Sequence, residues 1–299
     1  MTLLWAGFLL GGAFGVAARL GRFCLLRGLR QALHQDSEVA QGQAPALQAF
    51  ALALAVALLG SQALALAGMV DLTQTQVART QFSFAGVLLG GLLFGLGIAL
   101  ARSCGARALV LLAGGNLRAL ITVVFLALGA QISITGALAP VIQWMQGLAP
   151  ATLAHSNLSL YLQAAGIPAH TRFALLAALP ALLLAAYALY RPALRRSAVQ
   201  WASALLIGAL VVVGWWITAH VEVDPFDPVK LTSLSFVGPL GESLLFLPLA
   251  VGRGPSLGPA IVAGVLVGAG AAALLTRTAQ WEGFDSPARL AASAGGGLL

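Results

Sequence analysis

Seven apolar runs of roughly bilayer-spanning length recur along this chain, and they leave the fold few options. They cover residues 3–18, 46–70, 82–101, 117–139, 173–190, 199–219 and 257–275. About 20 apolar residues are needed to cross a bilayer as a helix. Charged residues make up 8% of the chain, where a soluble domain carries roughly 25%. In lipid each backbone polar group must find its partner inside the protein, which favours helices. The expected fold is therefore an all-α polytopic membrane protein. No polar stretch is long enough to hold a soluble domain. Residues 1–299 are thus expected to form one transmembrane domain. The start, "MTLLWAGFLLGGAFGVAARLGRFC", has no basic residue before its apolar stretch and reads as a membrane segment, not a cleaved signal peptide.

The pieces between these runs are informative. Residues 25–33 and 106–113 are apolar but too short to cross, and read as re-entrant half-helices. Residues 144–167 and 231–250 are apolar but broken by Gly and Pro. If each long run crosses once, Arg19, Arg22, Arg27, Arg30, Arg102, Arg107, Arg118, Arg191, Arg195 and Arg196 fall on one side. Asp71, Glu222, Asp224 and Asp227 fall on the other. The positive-inside rule then puts the arginines in the cytoplasm and the N-terminus outside. Orientation accounts for the net charge of +7, and no basic stretch is interleaved with exposed aromatics. Nucleic acid is not an expected partner.

A repeat ties the short pieces to chemistry. Gly7, Gly11, Gly12 and Gly15 match Gly86, Gly90, Gly91 and Gly95, with one residue inserted. Cys24 follows Gly15 by nine residues, and Cys104 follows Gly95 by nine. Both cysteines, the only 2 in the chain, stand in R-x-C-x-x-R: Arg22 and Arg27 around one, Arg102 and Arg107 around the other. The repeated units run over residues 3–33 and 82–114. Residues 291–299, "AASAGGGLL", resemble the start of the same glycine-rich run, and a third unit cut short is expected there. Transporters are often built from such repeats, with substrate at the repeat interface.

Two arginines near a thiol favour thiolate and attract anions. A cysteine at the start of a half-helix also feels the unpaired backbone N–H groups there. The glycines Gly86, Gly90, Gly91, Gly95 and Gly97 are expected to let helices approach closely. A lone membrane cysteine usually packs as a small hydrophobe, and a lone arginine at a span end usually anchors orientation. Neither explains why both return together, so function is the preferred reading. Asn116 caps the next span or lines the path, with capping favoured. Gln131, Ser133 and Thr135 read as bridging hydrogen-bond groups. Glu242 reads either as a proton carrier or as the partner of a loop or half-helix N-terminus. No metal, ATP or dinucleotide motif is present, so no cofactor is expected and the chain is not expected to be an enzyme.

"GGLLFGLGIALARSCGARALVLLAGGNLRALI" resembles the YeeE/YedE family of membrane proteins, which are thiosulfate transporters. "GRFCLLRG" looks like that family's first cysteine element. "DPFDPVKLTSLSFVGPLGESL" and "GPAIVAGVLVGAGAAALLTR" are similar to its later half. The resemblance implies uptake of thiosulfate, or a similar small anion, across the bacterial inner membrane. It implies half-helices that meet near the centre and a narrow path whose cysteines pass the anion by S–H hydrogen bonds. That role falls on Cys24 and Cys104. With the charge argument, the expected path takes in Arg22, Arg27, Arg102, Arg107, Gly105 and Asn116. Membrane lipid and a soluble sulfurtransferase-like protein are the implied partners. Ser103 departs from the glycine common before the family's central cysteine. The alternatives are a carrier of another sulfur or selenium compound, a membrane sulfurtransferase with a persulfide on cysteine, and a scaffold that uses both cysteines for packing.

Overall fold

A computed structural model describes residues 3–36, 39–40, 43–75, 77–221, 231–250, 254, 256–283 and 286–299. Its helices are α1 (Leu3–Leu20), α2 (Leu25–Ala32), α3 (Pro45–Leu66), α4 (Phe84–Ala101), α5 (Gly105–Ala113), α6 (Leu117–Ile134), α7 (Ala139–Gly147), α8 (Leu158–Ala164), α9 (Ala169–Phe173), α10 (Leu179–Tyr190), α11 (Pro192–Arg195), α12 (Ala198–His220), α13 (Val237–Leu249), α14 (Leu257–Leu275) and α15 (Pro287–Leu298). A π-helical stretch, Ala174–Ala178, joins α9 to α10. Among the described residues 7 helical segments are long and apolar enough to cross a membrane, and each falls on one of the apolar runs of the sequence. The chain is an all-α, multi-pass membrane protein. Glu222, Asp224 and Asp227 lie outside the described residues.

Local chemistry sets the helix ends. The second run extends only to Leu66 and not to residue 70, because Gly68 at φ 69° stops it. The Gly68 and Met69 N–H groups turn back to Ala65 and Leu64 carbonyls, a glycine-terminated C-cap. The third run begins at Phe84 and not at residue 82, because the Ser83 hydroxyl accepts the Gly86 N–H at 3.0 Å and fixes the N-cap. Gln81–Ser83 instead forms a short strand, paired antiparallel with Pro150–Thr152. The fourth run stops at Ile134 and a new helix, α7, begins at Ala139.

Contacts divide the chain into two compact units. The first comprises Met1–Ala6, Val16–Ala78 and Ala154–Leu234. Here α3 packs against α12, α10 and α2. Its small residues permit this: a Cβ on Gly208 would lie 2.6 Å from the Ala53 carbonyl. The second comprises Gly7–Gly15, Arg79–Leu153 and Ser235–Leu299. In it α6 packs against α15, α13 and α5, and α15 also lies on α4. The run at residues 291–299 belongs to α15, where Gly296 and Gly297 are buried against α4 and α6.

Candidate functional site

The two R-x-C segments fold alike. Each long helix breaks at an arginine in left-handed conformation, Arg22 at φ 48° and Arg102 at φ 53°. A non-glycine residue there costs about 1–2 kcal/mol, so the packing of the short helix beyond each arginine must hold the break in place. Two residues on, Cys24 and Cys104 take extended backbone and become the N-caps of α2 and α5. The cysteine carbonyl accepts the first intrahelical bond in both, from Gly28 N–H at 3.1 Å and from Ala108 N–H at 2.8 Å. Neither short helix start has a side-chain cap. The expectation of a thiol at the head of a short helix therefore agrees with the structure for both copies.

Their surroundings differ. In the first unit Cys24 is a thiol with 5% of its surface exposed. Arg27, one turn along α2, forms an ion pair with Asp36 at 3.6 Å. Asp36 also accepts from the buried Gln31 at 3.1 Å. Gly28 lets α2 lie on α3, since a Cβ there would be 2.7 Å from the Leu47 nitrogen.

In the second unit Cys104 is a half-buried thiol. It opens into a cavity of about 430 Å³ whose wall is mostly apolar. Phe94 and Ile98 of α4, Leu126 and Ile134 of α6, and Leu298 and Leu299 supply that apolar wall. Polar residues line it at a few points: Ser103, Cys104, Thr122, Ser133 and Ser235. Gly105 lines it directly after the thiol, with Leu126 so close that a Cβ would lie 2.8 Å away. The cavity wall also includes Ser235, Phe236 and Val237, the start of α13. Phe236 is that helix's N-cap and offers no side-chain cap. Its ring packs against Phe14 at 4.7 Å between centroids. So two helix N-termini, those of α5 and α13, line one cavity. Each carries partial positive charge on backbone N–H groups.

The other expected site residues sit elsewhere. Arg102 is exposed and Arg107 is half-buried, and neither is in the cavity wall. Asn116 caps α6, its side chain accepting the Ala119 N–H at 3.1 Å, and also hydrogen-bonds Glu282, which pairs with Arg118 at 3.3 Å. Ser133 lines the cavity, while Thr135 bonds back to Gln131 within α6 at 3.1 Å. Glu242 stands beside the start of α14: a Cβ on Gly258, in that helix's first turn, would meet its carboxylate, which also accepts from the Ser256 hydroxyl. Sequence reasoning missed Ser235 and the start of α13, which lie inside a stretch read only as broken by Gly and Pro. Pro239, in the first turn, was the available signal, because proline is tolerated where N–H groups are unpaired anyway.

Fold and site together define a helical membrane protein with a thiol at a helix start in the wall of a mostly apolar cavity. The chain belongs to the Sulphur transport family, whose model matches residues 20–299 and so takes in both cysteine elements. This is the YeeE/YedE family that those elements resemble. The thiosulfate transporter TsuA of Spirochaeta thermophila is 28% identical over 185 residues, covering 62% of this chain and 52% of that relative. The chain thus spans about half the length of this curated relative.

Proposed function

We propose that this protein carries a small sulfur oxyanion, thiosulfate first among them, through the cavity that Cys104 opens into. The observation that carries this reading is the cavity itself: a thiol and two uncapped helix N-termini in one largely apolar wall. Each helix N-terminus acts as roughly +0.5 of an elementary charge. Two of them attract an anion without a fixed counter-charge that would hold it too tightly to leave. The mostly apolar wall lowers the local dielectric, which strengthens the pull of these partial charges. The Cys104 S–H donates a hydrogen bond to the anion. The thiol is not consumed, so no covalent step is needed. Gly105, with no Cβ, lets Leu126 pack against the start of α5 beside the thiol.

Membership of the Sulphur transport family and the similarity to a thiosulfate transporter support the substrate class. In this reading Cys24, buried in the structure, is a second and more enclosed station that the anion reaches only when the first unit opens during transport. The R-x-C arginines set the field and orient the chain, with the N-terminus outside and the arginine-rich ends in the cytoplasm of a bacterial inner membrane. Residues 3–33 and 82–114 act as two copies of one device. A soluble sulfurtransferase-like partner would receive the anion.

The test is uptake of labelled thiosulfate by cells whose only route is this protein. Cys104→Ala at unchanged membrane abundance should cut it by about ten- to 100-fold. Uptake at the wild-type rate would overturn the proposal. Mass spectrometry of protein purified after uptake should find Cys104 unmodified; a persulfide there would instead favour sulfur transfer.

A further inference from the structure

The hydroxyls in the wall of the Cys104 cavity fall into two pairs. Ser103 and Thr122 are buried and turn to nearby backbone. The Ser103 hydroxyl donates to the Ala101 carbonyl at 3.5 Å, and that of Thr122 to the Arg118 carbonyl at 3.4 Å. Ser133 and Ser235 differ. Neither hydroxyl has a hydrogen-bond partner among the described residues. Ser133 is half-buried and Ser235 exposed, so a bound group can reach both.

Local structure presents both hydroxyls to one space. Thr122, Leu126, Gly129, Ala130 and Ser133 all line the cavity, and their spacing makes them one face of α6. Ser133 ends that face in the last turn. A serine or threonine inside a helix can bond back to the carbonyl four residues earlier. Thr122 does so, and Thr135 does so to Gln131 at 3.3 Å, but Ser133 does not. Ser235 directly precedes the N-cap of α13. Its neighbour Ser233 is committed elsewhere, donating to the Val211 carbonyl at 2.6 Å. No lining residue carries a charge, so an anion in this cavity meets neutral donors only.

We propose that Ser133 and Ser235 bind the oxygen end of the anion while the Cys104 S–H meets its terminal sulfur. This rests on the transport reading of the same cavity. Each hydroxyl donates to one anion oxygen, and a hydrogen bond to an ionised acceptor is roughly twice as strong as a neutral one. The two serines belong to different elements, α6 and the approach to α13, so together they fix which end of the anion points at the thiol.

The test is calorimetric titration of sodium thiosulfate into the full chain purified in detergent. Ser133→Ala and Ser235→Ala should each weaken binding about tenfold, the loss expected for one hydrogen bond to a charged group. Thr135→Ala is the control: it removes a hydroxyl from the same end of α6, outside the cavity wall, and should bind as wild type does. Ser235 is exposed, so its variant is informative even if Ser133→Ala fails to fold. Wild-type affinity in Ser235→Ala or in folded Ser133→Ala, or an equal loss in Thr135→Ala, would overturn this inference while leaving the transport reading in place. No binding to the wild-type chain, or wild-type affinity in Cys104→Ala, would overturn both.

Discussion

Cys24 and Cys104 share a backbone and differ in almost everything around it. Both come two residues after an arginine in left-handed conformation, and both head a short helix. Yet Cys24 is sealed, with its neighbouring Arg27 neutralised by Asp36, while Cys104 faces a cavity. The glycines before them diverge in the same way. Gly11 and Gly15 lie against the backbone of α14, where a Cβ on Gly15 would stand 2.5 Å from the Val265 carbonyl. Gly90, Gly91 and Gly95 have no atom within 4 Å of that position among the described residues. A repeated motif therefore preserves a turn, not an environment. The turn puts sulfur at a helix start; the packing decides whether anything can reach it.

The sharpest way to break this comparison is to remove each thiol in turn. Cys104→Ala should cut thiosulfate uptake by about ten- to 100-fold, the value of a hydrogen bond to a charged group. Cys24→Ala should cost less. Equal losses would mean that Cys24 contributes as much as Cys104 and that the cavity does not set the two thiols apart. Chemical accessibility gives a second contrast. In protein purified without thiosulfate, N-ethylmaleimide should modify Cys104 about tenfold faster than Cys24, since thiol reactivity tracks exposure and local charge. Comparable rates would show that Cys24 is not sealed in solution.

Stability separates the glycine runs. Gly11→Ala should destabilise by ~1–3 kcal/mol through overpacking against α14. Gly91→Ala should be neutral or stabilising by up to ~1 kcal/mol, because alanine is the better helix former. Thermal unfolding in detergent would read both, and a matching loss at Gly91 would mean that a partner covers that face. The smallest effect belongs to the arginine turns. Arg22→Gly and Arg102→Gly should each stabilise by ~1 kcal/mol, since glycine adopts positive φ without strain. No gain would show that the arginine side chains hold the turn through contacts of their own.

Much of this was legible in the sequence. Seven apolar runs gave seven helical segments, because length and hydropathy alone decide what crosses lipid. The R-x-C repeat placed the helix breaks to within two residues, because the cysteine-headed pieces were too short to cross. Less visible were the ends, where Gly68 and Ser83 act through one hydrogen bond each. The expectation that the glycines of the second run pack closely holds for Gly97, whose Cβ would meet the Gly296 carbonyl at 2.9 Å. It fails for Gly90, Gly91 and Gly95, since small size permits contact without supplying a neighbour. The role of α13 was hidden for a different reason. Ser235 and Phe236 come more than a hundred residues after Cys104, and no local pattern records that they line the same cavity.

The most direct measurement is the position of the anion. Crystals of the full chain soaked with selenosulfate, which puts selenium in place of the terminal sulfur of thiosulfate, would reveal it by anomalous diffraction. The account predicts a selenium peak within hydrogen-bonding reach of Cys104 Sγ, in the cavity between the starts of α5 and α13. A bound anion elsewhere, with that cavity empty under the same soak, would contradict it.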